Sequence, residues 1–398
     1  IIAAANQLVD NNPGRLKASY PIRINRERQS DPLGGQWQTL DSDRSGRVAR
    51  LAIESSDRVV GNLQAQAAIA ELKRLLALEV GDWNGCSILA RTHHYLWPVQ
   101  ALCELGGIPY FLASDKDSAL PITRQRDFVA VVDQLREINE TLSAAMAWQQ
   151  VSAGMSESWR SFFQEAFTQL QVELGECLLN SAAIVDWLYD YAREMRQQAK
   201  NGLYLGTVHS AKGLEFRHVV LLDGGWSVQS EGLNDERRLY YVGMTRAEQT
   251  LTLCEFSTAN PFSGSLSVDI AQQAFTGDYS AALERRYLQL SLKDIDIGFA
   301  GRSPVTDPIH AALRCLEPGA ELKLEKQGER YLVRDGQGRV VGRTSQSFKL
   351  DLEVERCEVV VVVVRFLDDS EEQYRSLQKC QRWEIIVPRL CGVPQPPL

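Results

Sequence analysis

The chain of 398 residues has no long apolar run: the Val359–Val364 stretch has only six residues, against the roughly 18 that a membrane-spanning helix requires. It also lacks any compositional bias that would make it collagen-like or disordered, since hydrophobic residues are 44% and charged residues 24%, values typical of globular chains. Cysteine is scarce and unpatterned. The eight stand at 86, 103, 177, 254, 315, 357, 380 and 391 with no C-x-x-C pair, which argues against zinc or a disulfide scaffold and for a reducing cytosol. There is no excess of basic charge either. Lys plus Arg number 43 against 51 Asp plus Glu, a net −8, so total charge does not suggest nucleic acid but leaves room for a local basic groove. The chain does not open on Met. Ile1–Asp10 reads as a helix already under way, ending at the punctuation Asn11-Asn12-Pro13-Gly14, with no signal-peptide character. The expectation is a segment of a longer polypeptide.

What is there is a chain long enough for two to three domains. Arg47–Glu54 alternates as a half-buried strand does, and Asn62–Leu78 carries apolar residues at helical spacing. Ser87–Arg91 reads as a strand and Trp97–Leu105 as a helix closed by Gly106-Gly107. Residues 121–199 are helix-like throughout, and strands resume at Leu203–His209, His218–Asp223 and Thr250–Phe256. Alternation of this kind predicts an α/β domain with a parallel sheet. The expected divisions are 1–120 with 200–260 for that domain, 121–199 as an inserted all-helical subdomain, 261–310 as linker, and 311–398 as a small β-barrel-like domain. In the last, Glu321–Val333, Arg339–Arg343 and Glu358–Phe366 read as strands, the valine run as a buried central one.

Two segments carry more chemistry than scaffold needs. Thr207-Val-His-Ser-Ala-Lys-Gly-Leu-Glu-Phe216 sets hydroxyls, an imidazole, an ammonium and a carboxylate at the end of a predicted parallel strand, where ligand sites of such sheets gather. Ser210 reads as an N-cap whose turn would offer free amides to phosphate. Asp235-Glu-Arg-Arg-Leu-Tyr-Tyr-Val-Gly-Met-Thr-Arg-Ala-Glu248 puts Leu239, Val242 and Arg246 on one helical stripe. A guanidinium on an inward stripe needs an acceptor. Arg246 either caps helix carbonyls, pairs with Glu215 or Glu236, or is aimed at a transferring phosphoryl group. Trp148, Trp159 and Trp187 read as helical core ahead of base-stacking platforms.

Together these segments resemble motifs V and VI of the UvrD/Rep/PcrA family of superfamily 1 DNA helicases. Ile88-Leu-Ala-Arg-Thr92 with Gly107-Ile-Pro-Tyr110 is similar to its motif IVa region, so the resemblance covers roughly residues 1–256. It implies the second of two RecA-like, P-loop-type motor domains, in a DNA-repair class of enzyme acting in the bacterial cytoplasm. The roles it implies are residue by residue. Arg246 resembles the arginine that reaches the γ-phosphate of ATP, and Glu215 and Gly213 fall at nucleotide-binding positions. Thr207 and His209, with Lys212, Arg91 and Thr92, match or flank positions facing single-stranded DNA. No metal ligand is assigned. ATP with Mg²⁺ would be held mainly by an N-terminal motor domain of the same polypeptide.

There are departures from that pattern. No G-x-x-x-x-G-K-[ST] occurs in the 398 residues, so the segment alone is expected not to hydrolyse ATP. The helical insertion is short, with only Gly154 and Gly175 between 121 and 199, so the family's duplex-gripping Gly-x-Gly hairpin is missing. The C-terminal β domain reads as a docking site for a protein partner ahead of nucleic acid. The alternatives are a non-catalytic scaffold that retains a motor fold, or a helicase–nuclease subunit.

Overall fold

The computed structural model describes residues 1–10, 36–41, 47–54, 60–113, 120–175, 177–198, 201–227, 229, 232–256, 260–266 and 270–395. The chain divides into two compact units, residues 1–114 with 200–287, and 115–199 with 288–398.

The first unit is built on strands β1 (Val48–Ile53), β2 (Cys86–Ala90), β3 (Tyr110–Leu112), β4 (Leu203–Thr207), β5 (Phe216–Leu221), β6 (Ala247–Phe256) and β7 (Ala271–Phe275). They form one seven-stranded sheet in the order β3-β4-β2-β5-β6-β1-β7, and every ladder is parallel. Strand alternation sends neighbouring residues to two different cores. Ile88, Leu203, Leu205 and Val220 pack on one face with Ile69, Leu72 and Val99. Leu89, Tyr204, Val219 and Leu221 pack on the other with Leu8, Tyr240 and Met244. The helices supplying the first face are α2 (Val60–Glu79) and α3 (Trp97–Gly106), and those on the second are α1 (Ile2–Asp10) and α8 (Leu233–Met244). Burial on both faces is why every residue of β2 is buried and only Ser87 among them is polar. The stretch 261–310, read above as linker, in fact supplies β7, which pairs with β1 from Ala49↔Ala271 to Ile53↔Phe275. Its polar Gln272 and Gln273 suit an edge position and hide the strand from an apolar pattern.

One buried histidine belongs to this scaffold. His218, at the amino end of β5, has Nε2 2.9 Å from Glu79 Oε1 and Nδ1 2.8 Å from Thr250 Oγ1, with Trp37 edge-on at 5.3 Å. Burial lowers its pKa below 6.5, outweighing the Glu79 carboxylate, which raises it. Such a group adds stability that is present above the unfolded value and lost as pH falls through the lower folded value. The wild-type thermal midpoint should therefore drop on acidification from about pH 7 to 5 more steeply than that of His218→Asn, and parallel curves would remove the assignment.

The second unit contains α4 (Arg126–Ile138), α5 (Ala144–Val151), α6 (Glu157–Leu174) and α7 (Ser181–Gln198). Phe128, Leu135, Phe163, Phe167 and Leu188 form their core. The three tryptophans pack against it: Trp159 stacks on Phe163 at 5.6 Å, Trp187 on Tyr191 at 5.2 Å, and Trp148 tilts over Phe167 at 5.9 Å. Each is half-buried against that core. The helices share this unit with an antiparallel sheet. Its strands are β8 (Arg286–Gln289), β9 (Glu321–Gln327), β10 (Arg330–Asp335), β11 (Val340–Arg343), β12 (Leu352–Phe366) and β13 (Arg382–Pro394), in the order β8-β13-β12-β9-β10-β11. Backbone bonds from Ile295–Asp296 to β11, through Ile295↔Thr344 and Asp296 N to Arg343 O at 2.9 Å, bend the far edge back towards the start. The valine run lies in β12, an interior strand. Its longest partner, β13, was not legible because Pro388 and Gly392 argue against a strand. The structure accommodates Pro388 where the register shifts between Val359 and Val361. Gln125 bridges Val363, while Arg126 donates to Leu316 O at 2.7 Å and Arg124 to Asp369 at 2.6 Å, joining the helices to this sheet. No described helix is long and apolar enough to cross a membrane.

Candidate functional site

The site is built around one loop and one helix end. β4 ends at Thr207, and the chain reaches the amino end of β5 through residues 208–215 alone. Both strands are parallel to β2 between them. The loop therefore has to run back along the sheet, a height of about 17 Å for a five-residue strand. Thr207 and His209 begin at the carboxyl end, whereas Glu215 emerges at the amino end. The sequence reading put all ten residues at one strand end; the structure corrects this, because no crossover helix intervenes to return the chain.

Thr207, not Ser210, caps the loop's first turn. Ser210 N donates to Thr207 Oγ1 at 3.2 Å, and Ser210 Oγ donates to Thr207 O at 2.8 Å and lies 3.2 Å from the Tyr204 hydroxyl. The Thr207 oxygen thus accepts from the loop while its own proton is left for an outside acceptor. A Cβ at Gly206 would come 2.6 Å from Ser210 Oγ, so the strand must be glycine there for the turn to close. Gly213 adopts φ +84°, in the left-handed region that favours glycine. His209, Lys212 and Glu215 are exposed, and their side chains have no partner among the described residues.

The second segment forms α8 and the turn into β6. Asp235 and Glu236 lie in its first turn, where the helix dipole favours negative charge. Gly243 lets the helix approach closely, since a Cβ there would meet Leu221 and Val208 at 3.2 Å. Arg246 then folds back over the helix end. Its Nε donates to Val242 O at 3.0 Å, one terminal nitrogen to Leu214 O at 2.9 Å and the other to Thr245 Oγ1 at 3.2 Å. Its backbone O accepts from Phe216 N at 2.9 Å. Of the three readings open from sequence, carbonyl capping is the geometry present here, and it extends to the loop as well as to the helix. No carboxylate pairs with Arg246 among the described residues. The guanidinium is therefore held by three neutral acceptors, with no ion pair to a carboxylate among the described residues.

Arg91 contrasts with it. At the carboxyl end of β2 it meets Glu236 on α8, with Nε 2.9 Å and a terminal nitrogen 2.8 Å from the carboxylate. That pair raises the Arg91 pKa through its hydrogen bonds, with burial opposing, and neutralises the charge that sequence reading offered to a DNA strand. Thr92 is exposed and makes no side-chain cap bond. The site therefore brings Thr207 near His209, and Glu215 near Arg246, while Arg91 is joined to α8.

Sequence reasoning missed a buried carboxylate behind this site. Asp223, two residues beyond β5, accepts from Gly224 N at 2.7 Å, Asn260 Nδ2 at 2.7 Å and Phe256 N at 3.1 Å. Gln64 pairs with its backbone, donating to its carbonyl and accepting from its N–H. Gly224 follows at φ +97° with the Tyr95 ring against it. The tripeptide Asp-Gly-Gly directly after an apolar strand was the available signal, since it marks a tight turn with a side-chain acceptor. Among the described residues no group of three or more His, Cys, Asp or Glu is placed to hold a metal ion.

Residues 115–258 match the UvrD-like helicase C-terminal domain family. Among characterised proteins, the chain is similar to the ATP-dependent DNA helicase Rep of Escherichia coli (strain K12), 26% identical over 188 residues, covering 43% of this chain and 25% of that protein. It is also similar to the ATP-dependent DNA helicase PcrA of Bacillus subtilis (strain 168), 45% identical over 69 residues, covering 15% of this chain and 9% of that protein. The match to Rep thus spans about a quarter of Rep's length. A solved structure of the C-terminal domain of a possible DNA helicase from a Lactobacillus aligns with 62% of this chain and 98% of its own, at TM-score 0.30 and 12% identity, too distant to carry an argument.

Proposed function

We propose, from the premise that this chain carries the C-terminal region of a UvrD-like superfamily 1 helicase, that it supplies half of an ATP-driven DNA translocase. The observation that carries the reading is Arg246: a guanidinium bonded to neutral acceptors of both motif segments at once, with no ion pair among the described residues. Such a cation can stabilise charge on the equatorial oxygens of a transferring phosphoryl group. Glu215 would accept from nucleotide hydroxyls beside it, and the left-handed Gly213 keeps the backbone open there. Because the 398 residues contain no phosphate-loop sequence, the loop and the carboxylates for Mg²⁺ would come from a partner motor domain. When bound, Mg²⁺ would offset negative charge on the β- and γ-phosphates.

Single-stranded DNA would lie at the other end of the sheet, its phosphates accepting from Thr207 and His209, with Lys212 and Thr92 beside them. Arg91 takes part only if its bond to Glu236 is exchanged for a phosphate. The loop offers the coupling: a pull at Thr207 is transmitted over eight residues to Leu214 O, the acceptor that holds Arg246. Such an enzyme would act on DNA in the bacterial cytoplasm. The test is binding of a labelled oligothymidylate at low salt. Thr207→Ala combined with His209→Ala should weaken it about tenfold, as expected for the loss of two phosphate contacts. Unchanged affinity with intact folding would overturn the DNA-facing assignment.

A further inference from the structure

Asp296, in the β-rich unit, is met by three arginines. Its Oδ2 accepts from Arg302 at 2.7 Å, Arg343 at 2.6 Å and Arg330 at 3.2 Å. Arg343 lies on β11, Arg330 opens β10, and Arg302 closes a short turn just after Asp296. One carboxylate cannot neutralise three guanidiniums, so the cluster carries an excess of two positive charges. The nearest carboxylate along the chain, Asp294, is turned to Ser291, whose N and Oγ both donate to it.

The arginines are not spent. Beyond Asp296, Arg330 reaches only Gln346 at 3.4 Å, and Arg343 lies over the Phe299 ring at 5.0 Å. Most of their N–H donors have no protein partner among the described residues, although each side chain is no more than one-third exposed. Like-charged groups brought together this way repel unless an anion joins them. Asp296 and Arg343 also border a small, mostly apolar cavity lined by Phe299, Val333, Val341, Ile386 and Glu384 among others, which neither Arg302 nor Arg330 lines. Glu384 is the one acid in that lining besides Asp296. Its burial favours the neutral carboxyl, because desolvation raises its pKa against the pull of Arg126.

We propose that the Arg302–Arg330–Arg343 cluster on Asp296 is an anion site that takes a phosphate group, with Asp296 fixing the three forks in place for planar, charge-assisted bonds to its oxygens. The phosphate can belong to a nucleic-acid backbone or be free. The site is independent of the loop described above and does not rest on the translocase reading.

The test is NMR of the full chain labelled with ¹⁵N-arginine, following the Nε–Hε resonances during titration with inorganic phosphate and, separately, with an oligothymidylate lacking terminal phosphate. Both probes should shift the Arg302, Arg330 and Arg343 resonances together. If the source is nucleic acid, the oligonucleotide should act at tenfold or more lower concentration; if only inorganic phosphate shifts them, the site takes free phosphate. Arg330→Gln keeps the two shorter bonds to Asp296 and should weaken either probe about fivefold, the loss of one charge-assisted contact. If neither probe moves these resonances, or Arg330→Gln leaves affinity unchanged, the site is overturned. If neither probe moves the cluster while the oligonucleotide shifts Arg91, this proposal is overturned and the earlier one stands.

Discussion

Replacing Arg246 by alanine should lower DNA-stimulated ATP hydrolysis about a thousandfold or more when a phosphate-loop motor domain is joined ahead of this chain, the scale expected for a cation that meets a transferring phosphoryl group. The loss should fall on kcat, because the contact is made chiefly in the transition state. The same substitution removes donors from Val242 O and Leu214 O, so a modest drop in stability, about 1–2 kcal/mol, will accompany it. Arg246→Lys separates the two effects. It returns one charge but not the fork, and should recover stability more than rate. If alanine costs stability alone, with kcat retained at a temperature where the variant is folded, Arg246 is a clamp and not a finger.

The second large effect is expected at Asp223. Asp223→Ala strands three donors, the part-buried backbone amides of Gly224 and Phe256 and the buried side-chain amide of Asn260. Removing a buried charged acceptor while its donors remain costs about 3–5 kcal/mol. Asp223→Asn keeps one acceptor but turns a donor towards Phe256 N or Asn260, and should lose roughly half as much. Hydrogen exchange at Gly224 and Phe256 is the direct measurement, since the two compact units need not unfold together. Alanine should speed exchange at those amides by about a thousandfold. Rates within threefold of wild type would show that the turn is held by something other than this carboxylate.

The parallel sheet was legible because its strands alternate with helices and carry short apolar runs, Ile88–Ala90 and Val219–Leu222, buried on both faces. The Thr207–Phe216 and Asp235–Glu248 segments stood out because they mix charges and hydroxyls where scaffold would not. What the text could not show was pairing at a distance. Glu236 lies 145 positions from Arg91, and nothing local says that the two meet. Nor does the sequence say that Arg246 reaches back to Leu214, or that residues 208–215 descend the sheet without a helix. The edge strand Ala271–Phe275 was hidden by its glutamines, and Arg382–Pro394 by its prolines, since both obey tertiary partners over local propensity. The Asp296 cluster draws its arginines from three separate elements, which no spacing rule links.

The most direct test of the central claim is DNA-stimulated phosphate release, measured on these 398 residues alone and on a polypeptide that joins them to a phosphate-loop motor domain. The account predicts none from the chain alone and ATP turnover that rises with single-stranded DNA in the joined protein. A joined protein that folds, binds ATP and stays silent with DNA would contradict it, and would leave the motor fold as a scaffold.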